Sequence, residues 1–125
     1  MGSAMTPPPG AIAIVDDDDA VCDSTRFLLE TYDFEVRTYQ SGAEFLCDNP
    51  AITCLIVDYH MPGLTGLDVV SELRKRGRAV PTIIMITATT DPIVERRAAE
   101  LGIKQVLKKP LSNQVLLSML RSQLE

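Results

Sequence analysis

The sequence predicts an α/β fold, namely a single doubly wound, five-stranded parallel sheet with five helices. Short apolar runs alternate five times with amphipathic segments, and only a few residues separate one element from the next. Such alternation is typical of a parallel sheet, in which right-handed crossovers place helices on both faces. The chain has 125 residues, of which 46% are hydrophobic and 23% charged. This is the composition of one globular domain that folds without disulfides or a structural metal.

The first half of the chain predicts two strands and two helices. Residues 11–15 are an uninterrupted apolar run rich in β-branched side chains, typical of a strand covered on both faces. Residues 34–39 are less apolar and predict an edge strand. Ser41 with Glu44 three residues later is a capping box, which opens a short helix that ends before Pro50. Between the two predicted strands, side chains recur at helical spacing and predict the first helix, namely Val21, Thr25, Leu28, Leu29 and Tyr32.

The second half of the chain repeats the alternation three times. Strands are predicted at residues 54–57, 82–86 and 105–107, and a polar or charged side chain directly follows each of them. Asp91 before Pro92 predicts an N-cap followed by proline at the first helical position. Three helices alternate with these strands. The first has apolar positions at Leu67, Val70 and Leu73 and ends at basic residues 74–76 and Gly77, and the second is predicted at residues 93–101 and ends at Gly102. The third has apolar positions at Leu116, Met119, Leu120 and Leu124.

Charge, hydropathy and cysteine content exclude several classes of protein. A net charge of -5 gives a poor surface for DNA or RNA, so no direct nucleic-acid contact is expected. No apolar run approaches the ~18 residues of a membrane span, so no membrane association is expected. Cys22, Cys47 and Cys54 lack metal-site spacing and are expected to be small buried side chains in a reducing cytoplasm. Residues 1–10 are expected to be a disordered or extended tag or linker remnant, and residues 11–125 the domain.

Polar side chains at the ends of the predicted strands point to a common site. In an open parallel sheet, ligands bind beyond the carboxyl ends of the strands, at the topological switch point. With strand order 2-1-3-4-5, Asp16, Asp17 and Asp58 fall on adjacent central strands. Thr87 and Lys109 follow the two strands beside them. Three converging carboxylates are costly without a cation among them, and all-oxygen ligands favour Mg²⁺.

Other polar residues near these strand ends have simpler interpretations. Asp18 and Asp19 are expected to lie in solvent at a helix N-terminus, where negative charge is favourable, with Asp19 as the N-cap. His60 is the only histidine, and it is expected to be a partly exposed loop side chain rather than a proton-transfer group. A lone histidine without cysteine or histidine partners cannot form a zinc site.

Four motifs stand at the carboxyl ends of four predicted strands, and the resemblance that they carry covers residues 11 to about 124. They are Val15-Asp16-Asp17, Asp58-Tyr59-His60-Met61-Pro62-Gly63 with Gly66, Thr87-Ala88 and Lys109-Pro110. The set resembles the receiver domain of two-component response regulators, which has the flavodoxin-like doubly wound fold. The acidic opening and the short chain are similar to the nitrogen-fixation regulator subgroup of rhizobia.

The resemblance implies that the chain accepts a phosphoryl group on Asp58 from a histidine kinase, in a Mg²⁺-dependent reaction. It implies a cytoplasmic signalling protein that catalyses only its own phosphoryl transfer and dephosphorylation. Lys109 and the Thr87 hydroxyl would contact phosphoryl oxygens, and Lys108 would face solvent. The implied Mg²⁺ ligands are Asp17, Asp58 and the backbone carbonyl of His60, with Asp16 binding the ion directly or through water.

The resemblance also implies an output surface. Residues 93–101, 105–108 and 112–124 would form it, with a homodimer strengthened by phosphorylation as the expected outcome. The family often has Tyr or Phe where this chain has Val106. The usual coupling between an aromatic ring and Thr87 is therefore not expected in its usual form.

Two residues are implied to tune the lifetime of the phosphorylated state. His60 and Thr89 stand two residues after Asp58 and Thr87, and in the family such positions flank the path of the water that hydrolyses the aspartyl phosphate. Substitution of His60 is therefore expected to change the dephosphorylation rate several-fold without abolishing phosphorylation.

Three alternatives from other functional classes are less well supported by the residues. A Mg²⁺-dependent phosphatase or phosphotransferase with an aspartate nucleophile would act on a small metabolite. Haloacid-dehalogenase-type enzymes of that class require Asp-x-Asp-x-Thr after the first strand, whereas this chain has four aspartates followed by Ala20 and no cap-sized insertion. An interaction module that is not phosphorylated is disfavoured because all five key positions are intact. Nucleotide binding is disfavoured because neither glycine-rich phosphate motif is present.

Overall fold

The computed structural model describes residues 10–88 and 91–124. Residues 1–9 of the tag or linker remnant predicted at residues 1–10, together with Thr89, lie outside the described residues. The elements are β1 (Ala11–Val15), α1 (Asp19–Thr31), β2 (Val36–Tyr39), α2 (Gly42–Asp48), β3 (Ile52–Asp58), α3 (Gly66–Lys75), β4 (Thr82–Thr87), α4 (Pro92–Glu100), β5 (Gln105–Lys108) and α5 (Asn113–Leu124). All strand pairs are parallel and the order is β2-β1-β3-β4-β5, so the predicted fold class is confirmed.

Helices cover both faces of the sheet, which gives the domain two separate cores. Because alternate strand residues point to opposite faces, Ala11, Ala13 and Val15 of β1 enter the first core and Ile12 and Ile14 enter the second. Side chains of α2, α3 and α4 complete the first core, and those of α1 and α5 complete the second. Within the described chain, we find no helix long and apolar enough to traverse a bilayer. The two covered faces explain the uninterrupted apolarity of the central strands.

The N-cap of α1 is Asp18, so the prediction of Asp19 is wrong. The Asp18 carboxylate accepts hydrogen bonds from the backbone N–H groups of Ala20 and Val21, at 2.9 and 3.3 Å. The reason lies one turn earlier, where the Asp16 carboxylate accepts from the Asp18 N–H at 3.0 Å. That bond fixes the turn after β1 and leaves Asp19 in the first turn of the helix.

Two strands begin at positions that differ from the predicted ones. β2 begins at Val36 because the Phe34 N–H is used at the end of α1, where it donates to the Leu29 carbonyl at 3.2 Å. β3 begins earlier than predicted because Ile52 pairs with Ala11 at the start of β1. A bond to the preceding helix decides the first bound and pairing between strands decides the second, and local periodicity reports neither.

The capping box predicted for α2 forms only in part. The Ser41 hydroxyl accepts from the Glu44 N–H at 3.1 Å, but the Glu44 carboxylate accepts from the Gln40 N–H at 3.1 Å and not from Ser41. A complete box opens α3, where Thr65 and Asp68 exchange two bonds of 2.9 and 3.2 Å. Both arrangements satisfy N–H groups that would otherwise lack partners.

The cysteines divide into two buried thiols and one exposed thiol. Cys22 and Cys54 are buried, as predicted, and burial raises the pKa of these thiols to about 11 and about 12. Cys47 is exposed, so its predicted burial is wrong. In the short helix α2, Phe45 and Leu46 enter the first core, and the next residue along faces solvent.

The start of α3 lies against the strand end that carries Asp58. The Gly66 N–H donates to the Tyr59 carbonyl at 3.1 Å. A Cβ at residue 66 would lie 2.8 Å from the Asp58 carbonyl oxygen and 3.1 Å from the Cα of Tyr59. Backbone atoms cannot rotate away as a side chain can, so this close approach requires glycine.

Replacing Gly66 with alanine is therefore expected to lower the free energy of unfolding by about 1–3 kcal/mol, the usual cost of overpacking. Gly77→Ala serves as the comparison, because Gly77 has a φ of +71° but no atom within 4 Å of the place that a Cβ would occupy. Its cost should be the conformational one of about 1–2 kcal/mol. Urea unfolding measures both variants. A Gly66→Ala protein as stable as the native one would contradict the close approach.

Candidate functional site

Five side chains selected from the sequence converge at the carboxyl edge of the sheet. Asp16 and Asp17 follow β1, Asp58 ends β3, Thr87 ends β4 and Lys109 follows β5. Asp16, Asp58 and Thr87 are buried, whereas Asp17 is exposed. One carboxylate oxygen from each of the three aspartates lies within 4.8 Å of the others. The parallel sheet thus gathers residues that are far apart in the sequence into one acidic cluster.

Lys109 places a positive charge between two of these carboxylates. Its Nζ lies 3.1 Å from Oδ2 of Asp58 and 3.5 Å from Oδ2 of Asp16. The backbone N–H of Lys109 donates to the Thr87 carbonyl at 2.8 Å, which fixes the lysine at the end of β4. Burial lowers the pKa of Lys109, but the bond to Asp58 and the two negative charges outweigh it and hold the pKa above its usual value.

Asp16 is a buried acid in a crowded negative environment. Burial is the largest influence and raises the pKa of Asp16 above its ordinary value of 3.8. The hydrogen bond from the Asp18 N–H lowers it, Asp58 raises it, Lys109 lowers it and Asp17 raises it slightly further. The net rise means that keeping this carboxylate ionised at neutral pH costs the folded protein free energy.

Asp58 is held by the loop that follows β3. Its Oδ1 accepts a hydrogen bond from the His60 N–H at 3.2 Å, while its Oδ2 faces Lys109. The Tyr59 N–H donates to the Ile86 carbonyl of β4 at 2.8 Å, which ties the loop to the neighbouring strand. The His60 side chain is exposed, as expected, and its ring contacts that of Tyr59.

Three residues of β4 and β5 lie near the site, and for one of them, Lys108, solvent exposure was expected. Thr87 is buried at the strand end and pairs in register with Lys108, whose side chain faces solvent as the resemblance implied. Val106 is half-buried, pairs with Met85 and packs against the first core. Val106 therefore fills a core position with a small aliphatic side chain and brings no ring next to the site.

The donor set suits a hard divalent cation. The three grouped side chains supply carboxylate oxygens only, and one of them, on Asp17, is open to solvent. Mg²⁺ prefers such oxygen ligands and retains several waters, which the exposed side of the cluster permits. Neither thiolate nor imidazole belongs to this group, so its chemistry differs from that of zinc sites.

Two features of the site were missed from the sequence. The hydrogen bond from the Asp18 N–H to the Asp16 carboxylate connects the start of α1 to the acidic cluster. The run of four aspartates was the sequence signal that could have indicated it. The contact between the rings of Tyr59 and His60 had a weaker signal, since two adjacent aromatic residues on a loop have no preferred relative orientation. Both features depend on loop conformation.

The fold and the site together define a class of protein, a doubly wound domain with an acidic cluster and a lysine at its switch point. The family described as the response regulator receiver domain matches residues 12–121, so the chain belongs to that family. The expected family resemblance is thereby confirmed.

Named relatives agree with this assignment. The chain is 34% identical over 115 residues to the transcriptional regulatory protein FixJ of Azorhizobium caulinodans, covering 90% of this chain and 54% of the relative. It is 32% identical over 123 residues to the response regulator protein TodT of Pseudomonas putida, covering 97% and 54%. The chain thus spans about half the length of these curated relatives. Their names describe regulators, and the first agrees with the expected nitrogen-fixation regulator subgroup.

A solved structure agrees with the observed fold. The chemotaxis protein CheY4 of Vibrio cholerae superposes with a TM-score of 0.84 at 27% sequence identity. The superposition covers 93% of this chain and 99% of that one. The whole described domain therefore has the architecture of a known receiver protein.

Asp16→Asn is expected to raise the free energy of unfolding of the metal-free protein at pH 7. Asparagine keeps an oxygen that can accept from the Asp18 N–H, but it has no charge to bury. Because the folded-state pKa of Asp16 is raised, the folded chain binds this proton more readily than the unfolded chain. The resulting stabilisation is present at low pH and is lost as the pH rises through the folded-state pKa.

The advantage of the asparagine variant should therefore shrink as the pH falls towards 3.8, the ordinary pKa of the group. Urea unfolding in the presence of a chelator, repeated over a pH series, measures this difference. Asp19→Asn is the control, because Asp19 is exposed in the first turn of α1 and should only lose about 0.3–1 kcal/mol of helix-dipole interaction. An Asp16→Asn protein less stable than the native one at pH 7 would contradict the account.

Proposed function

We propose that the chain is a phosphorylation-dependent signalling module that accepts a phosphoryl group on Asp58 from a histidine kinase in the cytoplasm. The observation that carries the proposal is the contact of Lys109 Nζ with Asp58 Oδ2, at 3.1 Å, within a cluster of three carboxylates. A cation aimed at one carboxylate among several is the arrangement that an incoming phosphoryl group requires. Membership of the receiver family supports the proposal.

In the transfer, an Asp58 carboxylate oxygen attacks the phosphorus of a phosphohistidine on the kinase. The bond from phosphorus to oxygen forms, the bond from phosphorus to nitrogen breaks, and the histidine leaves as the neutral base after taking up a proton. Lys109, already at the attacking carboxylate, then pairs with a phosphoryl oxygen. The Thr87 hydroxyl, buried at the end of the adjacent strand, bonds another.

The acidic cluster would hold Mg²⁺ through Asp16, Asp17, Asp58 and the backbone carbonyl of His60. When bound, the ion supplies positive charge that neutralises the phosphoryl oxygens during transfer. The remaining task of these residues is positional. The bond from Asp18 orients Asp16, and the bond from the His60 N–H orients Asp58.

The output surface is proposed to comprise α4, β5 and α5, and its partner a second copy of the chain. α4 exposes Ile93, with 62% of its surface accessible, beside charged residues of both signs. Glu95 and Glu100 could pair with Arg96 and Arg97 of a second copy across a two-fold axis, because such an interface is self-complementary. Since Val106 has no ring, the phosphoryl signal must reach this surface without the movement of an aromatic side chain there.

The lifetime of the phosphorylated state is proposed to depend on His60, which follows Asp58 by two residues. His60 is exposed next to the phosphoacceptor, where its ring can shield or orient the attacking water. Thr89, the second residue expected to flank that path, lies outside the described residues.

The first prediction from the proposed function is that Asp58 is the sole phosphoacceptor. Incubation with Mg²⁺ and acetyl phosphate should add the mass of one phosphoryl group to the intact protein. Asp58→Asn, or an excess of chelator, should abolish the addition. The protein should not turn over p-nitrophenyl phosphate, which a phosphatase with an aspartate nucleophile would hydrolyse. Labelling that persists in Asp58→Asn would contradict the assignment.

The second prediction is that Asp17→Ala weakens Mg²⁺ binding at least ~10-fold while the fold survives. Asp17 is exposed, so its removal leaves no cavity, and it relieves repulsion within the acidic cluster. Calorimetric titration measures the affinity, and thermal unfolding checks the fold. Asp19→Ala is the matched control, since Asp19 lies close in sequence but outside the cluster. Equal Mg²⁺ affinity in the two variants would rule out Asp17 as a ligand.

The third prediction is that phosphorylation strengthens a weak dimer through α4. Sedimentation velocity with Mg²⁺ and beryllium fluoride, a phosphoryl mimic, should show the dimer. Ile93→Glu should abolish it without changing the phosphorylation of Asp58. Phe27→Glu is the matched control, because Phe27 is a 75% exposed apolar residue on α1, outside the proposed interface. An unchanged monomer in the presence of the mimic would count against this interface.

A further inference from the structure

Two adjacent rings on the loop after Asp58 are in contact. The centroids of Tyr59 and His60 lie 4.7 Å apart, and their planes meet at 81°, an edge-to-face arrangement. Neighbouring side chains on an extended loop usually point apart. Aromatic pairs favour this arrangement because the positive edge of one ring meets the negative face of the other.

Tyr59 is the fixed member of the pair. Its N–H donates to the Ile86 carbonyl at 2.8 Å, and its carbonyl accepts from the Gly66 N–H at 3.1 Å. Its ring is half-buried and packs against the first core. His60 is exposed. The contact therefore restrains a solvent-facing imidazole by means of a ring that the core holds in place.

The backbone that carries the restrained imidazole is bonded to the phosphoacceptor. The His60 N–H donates to Oδ1 of Asp58 at 3.2 Å, so the backbone of His60 is fixed relative to that carboxylate. With its backbone fixed, the direction of the His60 ring depends on its side-chain torsions alone. The edge-to-face contact with Tyr59 selects among those torsions.

We propose that Tyr59 is a positioning residue that sets the lifetime of the phosphorylated state by orienting the imidazole of His60. The inference rests on the proposed function of Asp58 and His60. In the hydrolysis, a water oxygen bonds to phosphorus and the bond from phosphorus to the Asp58 oxygen breaks. The electron pair returns to the carboxylate, inorganic phosphate leaves, and the proton released from water passes to solvent. In the role proposed for His60, the imidazole lies beside the path of that water, and Tyr59 sets the orientation of the imidazole.

The proposal distinguishes the tyrosine ring from its hydroxyl. An edge-to-face contact needs an aromatic ring, so Tyr59→Phe should preserve it, whereas Tyr59→Leu should remove it and keep an apolar side chain of similar bulk against the core. Only the leucine variant releases His60, so an effect seen in Tyr59→Leu but not in Tyr59→Phe is due to loss of the aromatic ring and not of the hydroxyl. Tyr32→Leu is the matched control, since Tyr32 is 45% exposed at the end of α1 and lies outside the site.

The position of the imidazole can be measured without phosphorylation. His60 is the only histidine, so its ring protons give unique nuclear magnetic resonance signals. The ring current of Tyr59 should displace these signals from those of a free histidine. We expect the displacement to persist in Tyr59→Phe and Tyr32→Leu and to vanish in Tyr59→Leu. Identical signals in native protein and Tyr59→Leu would overturn the proposal.

The effect on lifetime is measured as the decay of phosphorylated protein after removal of acetyl phosphate. We expect His60→Ala and Tyr59→Leu to change the decay rate several-fold in the same direction, and Tyr59→Phe to stay within twofold of the native rate. The double variant, Tyr59→Leu with His60→Ala, should decay like His60→Ala alone. If the fold-change of the double variant is the product of the two single fold-changes, or if Tyr59→Leu decays at the native rate, Tyr59 does not act through His60.

The two measurements separate failure of the inference from failure of the proposed function. If no phosphoryl mass is added to Asp58, the proposed function is wrong, and the resonance comparison still decides whether Tyr59 positions the ring. If phosphorylation occurs but His60→Ala decays at the native rate, the proposed role of His60 and the inference are both overturned while the phosphoacceptor stands.

Discussion

The structure depends on the balance of charge at the carboxyl edge of the sheet. Asp16, Asp17 and Asp58 bring three carboxylates within 4.8 Å of one another, and Lys109 is the cation between two of them. The backbone N–H of the lysine donates to the Thr87 carbonyl at the end of β4, which helps to position the lysine there. The charge balance therefore depends on the register of β1, β3, β4 and β5, the four strands whose ends carry these residues. A slip of one residue in any of these strands would turn its side chains to the opposite face.

The acidic cluster places like charges close together, and two of its three carboxylates are buried. Burial raises the pKa of Asp16, and its neighbours Asp58 and Asp17 act in the same direction. Burying this carboxylate has a free-energy cost, which Lys109 offsets in part and a bound cation would offset further. The cation that relieves the crowding and the phosphoryl group that would engage Lys109 are, on this account, what the site is built to receive.

The fold could be predicted from the sequence because its signals are local and repeated. Continuous apolar runs marked the central strands, and the alternation with helices gave the class of sheet. The site followed, because the ends of parallel strands meet at one edge. What could not be predicted depends on contacts between distant or competing groups. Asp18 displaced Asp19 as the cap because of its bond to Asp16, and Ile52 joined β3 because Ala11 lies beside it. The orientation of the Tyr59 ring follows from core packing, which local periodicity does not report.

The central claim is that the acidic cluster and Lys109 form one phosphoryl site around Asp58. The most direct test is a crystal structure of this chain with Mg²⁺ and beryllium fluoride. The account predicts that beryllium fluoride is bound to Asp58, in contact with the Lys109 ammonium and the Thr87 hydroxyl. It also predicts that the metal ion lies among the three carboxylates. An adduct on another side chain, or a metal ion bound away from these aspartates, would contradict it.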